Sequence, residues 1–324
     1  VSPDRLETAV RPRFPVLLPR MTGGDRVIRR EGPWLERLLV IDGCPVILRA
    51  RAAGPPGPGE FVLAAHRADP DSVRGQGAED LSAAGEPELE AGILRLRHAF
   101  GLDDDLAGFR KRFGGDELLG PVIRRRLTRR PIRRADPWEA LLWAVTEQLI
   151  EYRRAAAIQR RLIRRFGLRI ESGPGAGLTT VPSPAAVAAA APAELQSLDL
   201  GARRAVAAIR VAREVAAGRV DPDDPADDRR LLAIPAVGPW TVACLALRGR
   251  GEPDALPAGD LAQVKLVGWL EGLGRLAEVP EVERFYGRFA PWRGITGELL
   301  AAEVGRAVDG PGNRARIRAA APAA

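Results

Sequence analysis

Apolar and polar positions change rhythm along the chain, and the changes mark its elements. Residues 1–25 carry no clear periodicity and read as a lead-in. From Leu38 the pattern is β-like: LLVI, then Asp42-Gly43, then CPVILRA. An Asp-Gly pair between β-rich runs predicts a hairpin, because its type I′ turn needs positive φ at both central residues. GPPGPGE (54–60) reads as a loop and FVLAAHR (61–67) as a third strand. Over 88–102, Leu89, Ile93, Leu96 and Phe100 recur at helical spacing. Strands followed by a helix predict a small α/β unit over 26–102.

Beyond that point nearly every pattern is helical. LDDDLAGFRKRFGG opens with acids suited to a helix start and ends in two glycines. IRRRLTRRPIRRA (123–135) holds seven arginines and is either a solvated face or a phosphate contact. Asp136-Pro137-Trp138-Glu139 combines a cap, a proline at the first helical position and a glutamate three residues after the cap. Trp138, Leu141, Leu142, Val145 and Leu149 form the apolar face of the predicted helix 138–150. A second helix covers 153–167, a Gly/Pro/Thr linker 172–184, and a further helix 202–218. Helical stretches follow near 226–248, 261–271 and 280–307. The tail 309–324 has a disordered composition.

Composition narrows the function classes. A chain of 324 residues suggests two domains, or three. Cys44 and Cys244 are the only cysteines and His66 and His98 the only histidines, so neither a zinc site nor a four-cysteine iron–sulfur cluster is expected. There is no P-loop and no GxSxG elbow, and GPGAG (173–177) reads as a linker. No apolar run approaches the ~18 residues that span a bilayer. The N-terminal VSPDRLETAVRPRFPVLLPR has too many prolines and arginines for a signal-peptide core, so the expected location is the cytoplasm, at the nucleoid. The net charge of +7 favours a polyanionic partner, although 47 arginines against two lysines also reflect a coding bias.

The segment LLAIPAVGPWTVACLALRG (231–249) predicts two short helices around a tight turn, Ile234-Pro235-Ala236-Val237-Gly238. Pro239 opens the second helix, whose exposed N–H groups can bind an anion. The backbone at Val237, Gly238 and Thr241 is the candidate DNA-phosphate contact, set against an ordinary helix–turn–helix corner that also favours Pro and Gly. Some twenty residues on, Asp260 follows Gly259 and precedes a helical run, as an N-cap would. Trp240 by itself could be a core residue.

Hairpin and aspartate at this spacing resemble the signature of helix-hairpin-helix DNA base-excision glycosylases. PWEALLWAVTEQLIEYRRAAAIQRRLIRRFG (137–167) is similar to the helix pair of the bacterial 3-methyladenine DNA glycosylase II family, and FAPWRGITGELL (289–300) to its Pro-Trp-Arg helix start. The resemblance covers residues 26–308. It implies a mainly α helix-hairpin-helix glycosylase fold of two helical lobes with an N-terminal TBP-like α/β domain. The expected division is 1–25 lead-in, 26–102 α/β domain and 103–308 glycosylase region. Within that region 136–252 would form the central lobe, 103–135 plus 253–308 the second lobe, and 309–324 a tail.

By position, the resemblance makes Asp260 the catalytic aspartate, Trp240 and Gln148 pocket residues, and Leu149 the wedge that fills the space of an extruded base. The backbone carbonyls of Leu232, Ile234 and Val237 would hold a monovalent cation, Na+ or K+; no other cofactor is implied. Ala236 replaces a usual hairpin glycine, and Cys244, Ala301 and Ala302 stand where the family has pocket aromatics. Lyase relatives carry a lysine where this chain has Trp240. Lys265 and Lys111 lie elsewhere, which implies a monofunctional enzyme that leaves an abasic site. The implied function is hydrolysis of the N-glycosidic bond of alkylated purines in double-stranded DNA by a monomer. The alternative is a non-catalytic DNA-binding repair protein built on the same hairpin.

Overall fold

The computed structural model describes residues 4–19, 23–54, 59–126, 128 and 133–308. Strands β1 (Arg5–Val10), β2 (Arg29–Glu31), β3 (Trp34–Ile41), β4 (Cys44–Ala52) and β5 (Phe61–Arg67) form one antiparallel sheet in the order β1-β5-β4-β3-β2. The expected hairpin is present: Ile41 pairs with Cys44 across Asp42 and Gly43, with φ of 48° and 78°. The sheet also takes in residues expected to be a lead-in. β1 pairs with β5 along its whole length, and Val10, Phe14 and Val16 are buried. RLETAV hides this role because an edge strand leaves most of its side chains at the surface. A short β6 (Val73–Arg74) pairs instead with β7 (Arg169–Ile170), tying this layer to the helical region.

Helix α1 (Glu86–Phe100) packs on the sheet through Leu89, Ile93, Leu96 and Phe100. A Cβ on Gly92 would lie 2.6 Å from Leu48 Cδ2, so glycine sets how closely the helix can lie. The helices that follow are α2 (Ala107–Phe113), α3 (Leu119–Arg126), α4 (Pro137–Glu147), α5 (Tyr152–Phe166), α6 (Pro184–Ala189), α7 (Pro192–Ser197), α8 (Ala202–Ala216) and α9 (Asp228–Leu232). After them come α10 (Pro239–Leu245), α11 (Leu261–Leu270), α12 (Val279–Gly287) and α13 (Arg293–Val308). Leu141, Ile158, Ile209 and Leu245 belong to one core, built from α4, α5, α8 and α10. Phe109, Leu119, Val267, Tyr286 and Phe289 belong to a second, built from α2, α3 and α11–α13. None of the described helices is long and apolar enough to cross a membrane.

Helix α4 is the centre of this arrangement, with every residue from Pro137 to Thr146 buried. Its predicted start is real: the Asp136 carboxylate accepts the Trp138 N–H at 2.9 Å. One charged side chain, Glu139, is 1% exposed. It accepts from Arg37 Nη2 of β3 at 2.7 Å and from Arg134 Nη1 at 3.0 Å. Arg134 also reaches Asp25, which takes the Trp143 indole N–H at 3.1 Å. Two arginines and two carboxylates thus neutralise one another where the sheet meets α4.

The network also explains part of the basic run 123–135. Arg133 binds Asp104 and Arg134 is interior, while Arg125 and Arg126 pair with Glu303. These four arginines are tied within the protein; residues 127 and 129–132 of the run, like the tail 309–324, lie outside the described residues. In the acidic run, Asp105 takes the Ala107 N–H at the start of α2, whereas Asp103 and Asp104 pair with Arg97 and Arg133. Removing one partner from a buried charged pair is costly because the other is left without compensation. Glu139→Gln should therefore destabilise the protein by about 3–5 kcal/mol, read from the shift of its urea unfolding midpoint.

Candidate active site at the hairpin and its facing helices

The hairpin joins α9 to α10 through Ala233–Gly238. Val237 N–H donates to the Ile234 carbonyl at 3.0 Å and closes the turn, with Ala236 at φ 72°. That is left-handed backbone, costly for a residue with a Cβ, which accounts for the glycine expected at this position. Gly238 precedes Pro239 in extended backbone, and a Cβ added to it would meet nothing within 4 Å. The space over Gly238 is open, and its N–H takes no part in the hydrogen bonds of the turn.

Two expectations change here. Val237 N–H is spent inside the turn. Thr241, expected beside a phosphate, is 1% exposed: its hydroxyl accepts the Gln148 amide at 2.9 Å and its N–H donates to the Gly238 carbonyl. Its position in the first turn of α10 faces it inward, toward the end of α4. Gln148, expected in the pocket, uses the same amide nitrogen to donate to the Ala236 carbonyl at 2.9 Å. It ties α4 to the strained residue of the hairpin.

The next residue shows the clearest departure from helical expectation. Helix α4 ends at Glu147, so Leu149 does not extend its apolar face. Leu149 has φ 55° and is 102% exposed. A leucine in left-handed backbone with no packing partner carries both strain and unfavourable hydration.

Asp260 is the N-cap of α11, as its sequence position predicts. Oδ1 accepts the Ala262 N–H at 2.9 Å, and Oδ2 accepts the Trp240 indole N–H at 3.2 Å. The carboxylate is half-buried and both its oxygens are oriented, one by each lobe. The ring of Trp240 is likewise half-buried rather than in the core.

Sequence reasoning passed over three residues beside this site. Arg248 lies in the π-helical turn Ala246–Arg250 that continues α10. Its guanidinium donates to Glu147 at 3.1 Å and to Glu298 of α13 at 3.2 Å. Burial works against its charge, but Glu298, Glu147 and Asp260 outweigh that and raise its proton affinity. Burial also pushes the Cys244 thiol up, which leaves it a small inert wall residue. The signal was present in the spacing Trp240, Cys244, Arg248, one face of a helix. Among the described residues no three His, Cys, Asp or Glu side chains gather to hold a metal. A larger hollow of about 320 Å³ lies elsewhere, near Glu271, Phe285 and Arg288, and contains none of these groups.

Relieving the strain at Leu149 separates a folding role from any other. Leu149→Gly should leave the free protein at least as stable, raising Tm by about 1–3 °C in differential scanning calorimetry, because it removes strain and loses no packing.

No family model matches the chain. Over 217 residues, 66% of its length, it is 30% identical to a Mycobacterium tuberculosis protein named "Probable bifunctional transcriptional activator/DNA repair enzyme AlkA", of which it spans 42%. Over 208 residues it is 26% identical to a Bacillus subtilis "DNA-3-methyladenine glycosylase", covering 62% of this chain and 67% of that one. The solved "3-methyladenine dna-glycosylase from Archaeoglobus fulgidus" shares the fold: TM-score 0.74 at 17% identity, over 92% of this chain and 98% of that one. The capped aspartate, the hairpin and the shared fold occur together in a chain that is similar in sequence to proteins named as the DNA repair enzyme AlkA and as a DNA-3-methyladenine glycosylase.

Proposed function

We propose that the protein is a monofunctional DNA glycosylase that flips an alkylated purine out of duplex DNA and hydrolyses its N-glycosidic bond. The observation that carries this is the Asp260 carboxylate, half-buried and oriented by Trp240 and by the start of α11. As the bond from C1′ to the base nitrogen breaks, C1′ gains oxocarbenium character, and a fixed carboxylate stabilises that charge. A water oxygen bonds to C1′, its proton is lost, and the base departs with the bonding pair. The product is an abasic site. A purine alkylated at N3 or N7 is already cationic in the nucleoside, so it leaves without a dedicated acid.

The other residues divide the remaining work. Leu149 enters the stack as the base leaves it. Its exposure in the free protein is offset by burial between bases, where the vacated space costs a few kcal/mol to open. Trp240 offers a ring face to the extruded base. Gln148 positions the wedge against the hairpin. A DNA phosphate sits over the Gly238 N–H at the start of α10. The carbonyls of Leu232, Ile234 and Val237, hard oxygen donors suited to a monovalent cation, would hold Na+ or K+, which would add positive charge beneath the phosphate. The protein would work as a monomer at the nucleoid, and the domain division at 102, 135 and 252 follows the same reading.

Asp260→Asn distinguishes this from a DNA-binding protein without catalysis. Asparagine caps a helix nearly as well as aspartate but carries no charge. Base release from alkylated duplex, scored as strand breaks appearing only after alkali, should fall by about 10²–10³ or more, with Tm and affinity for the same duplex retained. Near-native release would leave Asp260 a cap only.

Gly238→Ala tests the phosphate contact. The added methyl meets no protein atom, so Tm should fall by no more than about 3 °C, the cost of a poorer N-cap. Duplex affinity measured by fluorescence anisotropy should weaken by about tenfold or more, since a methyl group fills the space the phosphate needs.

A further inference from the structure

Trp240, Cys244 and Arg248 follow one another at intervals of four residues along α10 and its π-helical continuation. Side chains at that spacing share a face. A long helical side chain lies back over the turn before it, so the guanidinium of Arg248 comes to the level of Cys244. Cys244, Arg248 and Glu147 line one small cavity, which agrees with that placement. The cavity is closed on its other side by Ala140, Trp143 and Ala144 of α4, and Cys244 is its small residue one turn beyond Trp240. Next along stand Arg248 and the two carboxylates that hold it.

Those two carboxylates are not equivalent. Glu147 uses both oxygens, one on Arg248 and one on Gln159 Nε2 at 3.1 Å. Among the described residues Glu298 uses only Oε1, on Arg248 at 3.2 Å, and its side chain is 32% exposed. Arg248 fixes Glu298 in place while Oε2 remains available. Glu298 is carried by α13 and Asp260 by α11, two helices of the second core, and Glu298 reaches the α4 and α10 side through Arg248. Asp260 is hydrogen-bonded to Trp240 and Glu298 to Arg248, so the two carboxylates are held by residues two turns apart on one face of α10 and its continuation.

We infer that Glu298, positioned by Arg248, is a specificity-determining residue that selects cationic alkylated purines by offering a carboxylate oxygen to the extruded base. The inference rests on the base-release reading above. A positively charged base, or one presenting an N–H at that edge, gains a charge-assisted contact. A neutral base gains less.

Glu298→Gln keeps the shape of the side chain and an oxygen for Arg248 while removing the charge. Single-turnover release of 7-methylguanine, cationic in the nucleoside, should slow by about tenfold or more. Release of hypoxanthine from a matched duplex should stay within about twofold, as should affinity for an abasic-site duplex. Glu298→Asp should recover part of the 7-methylguanine rate. An unchanged 7-methylguanine rate overturns the assignment. So does an equal loss on both bases, or a parallel loss of abasic-DNA affinity, either of which marks Glu298 as a structural partner of Arg248. Wild-type protein that releases neither base overturns the base-release reading itself and the inference with it.

Discussion

Charge buried in a protein interior has to be neutralised there, and helix α4 is arranged around that requirement. Glu139 lies on a helix with no exposed face, so its carboxylate depends on Arg37 from the sheet and Arg134 from the segment before the helix. Those arginines in turn need Asp25 and Glu139. The net contribution of such a network to stability is small when it is intact, because desolvation offsets attraction. Its larger effect is on geometry. The four groups fit together in one register of sheet against helix, and that register sets where the far end of α4 emerges.

At that far end the same helix reaches the site. Gln148 holds the hairpin through Ala236 and Thr241, and Glu147 holds Arg248, which also binds Glu298. Asp260 and Trp240 complete the connection between the lobes through a single hydrogen bond. Arg248–Glu298 and Trp240–Asp260 cross from one hydrophobic core to the other, and Gln148–Ala236 joins helix to hairpin, so polar links fix the direction of these elements. Strain collects in the same place. Leu149 and Ala236 both occupy left-handed backbone, and Gln148, next to Leu149 in the chain, donates to the Ala236 carbonyl. Strain of this kind persists only where the surroundings impose it, and it gathers where a protein meets a ligand.

Asp260 shows how a capping role and the proposed chemical role can share one side chain. A helix start needs an acceptor, and an aspartate there is held at a fixed position and angle. The Trp240 indole N–H fixes the second oxygen. A carboxylate that is oriented before the substrate arrives needs no reorganisation when charge develops beside it. The capping role therefore supports the chemical one.

The sequence by itself determined the local elements and much of the site. Asp42-Gly43 needs a hairpin turn because of its backbone preferences, Asp136-Pro137 starts a helix, and Pro239 and Asp260 mark the starts of α10 and α11. These signals are local, since a cap or a turn is decided within four or five residues. The hairpin and Asp260 as a cap were legible for the same reason, whereas the place of Trp240 beside them was implied by the family resemblance. Only the tertiary structure decided the rest. β1 was hidden because an edge strand gains its hydrogen bonds from a partner more than fifty residues away. The basic run looked like a surface feature until Asp104, Asp25, Glu139 and Glu303 were brought against it. Leu149 matched a helical apolar face in sequence but stands outside the helix, and Thr241 turned inward because Gln148 meets it there. Arg248 shares a helix face with Trp240 and Cys244, but a charged residue is ordinary anywhere on a helix, and its role, like that of Glu298, depends on which distant charges the packing of two cores places beside it.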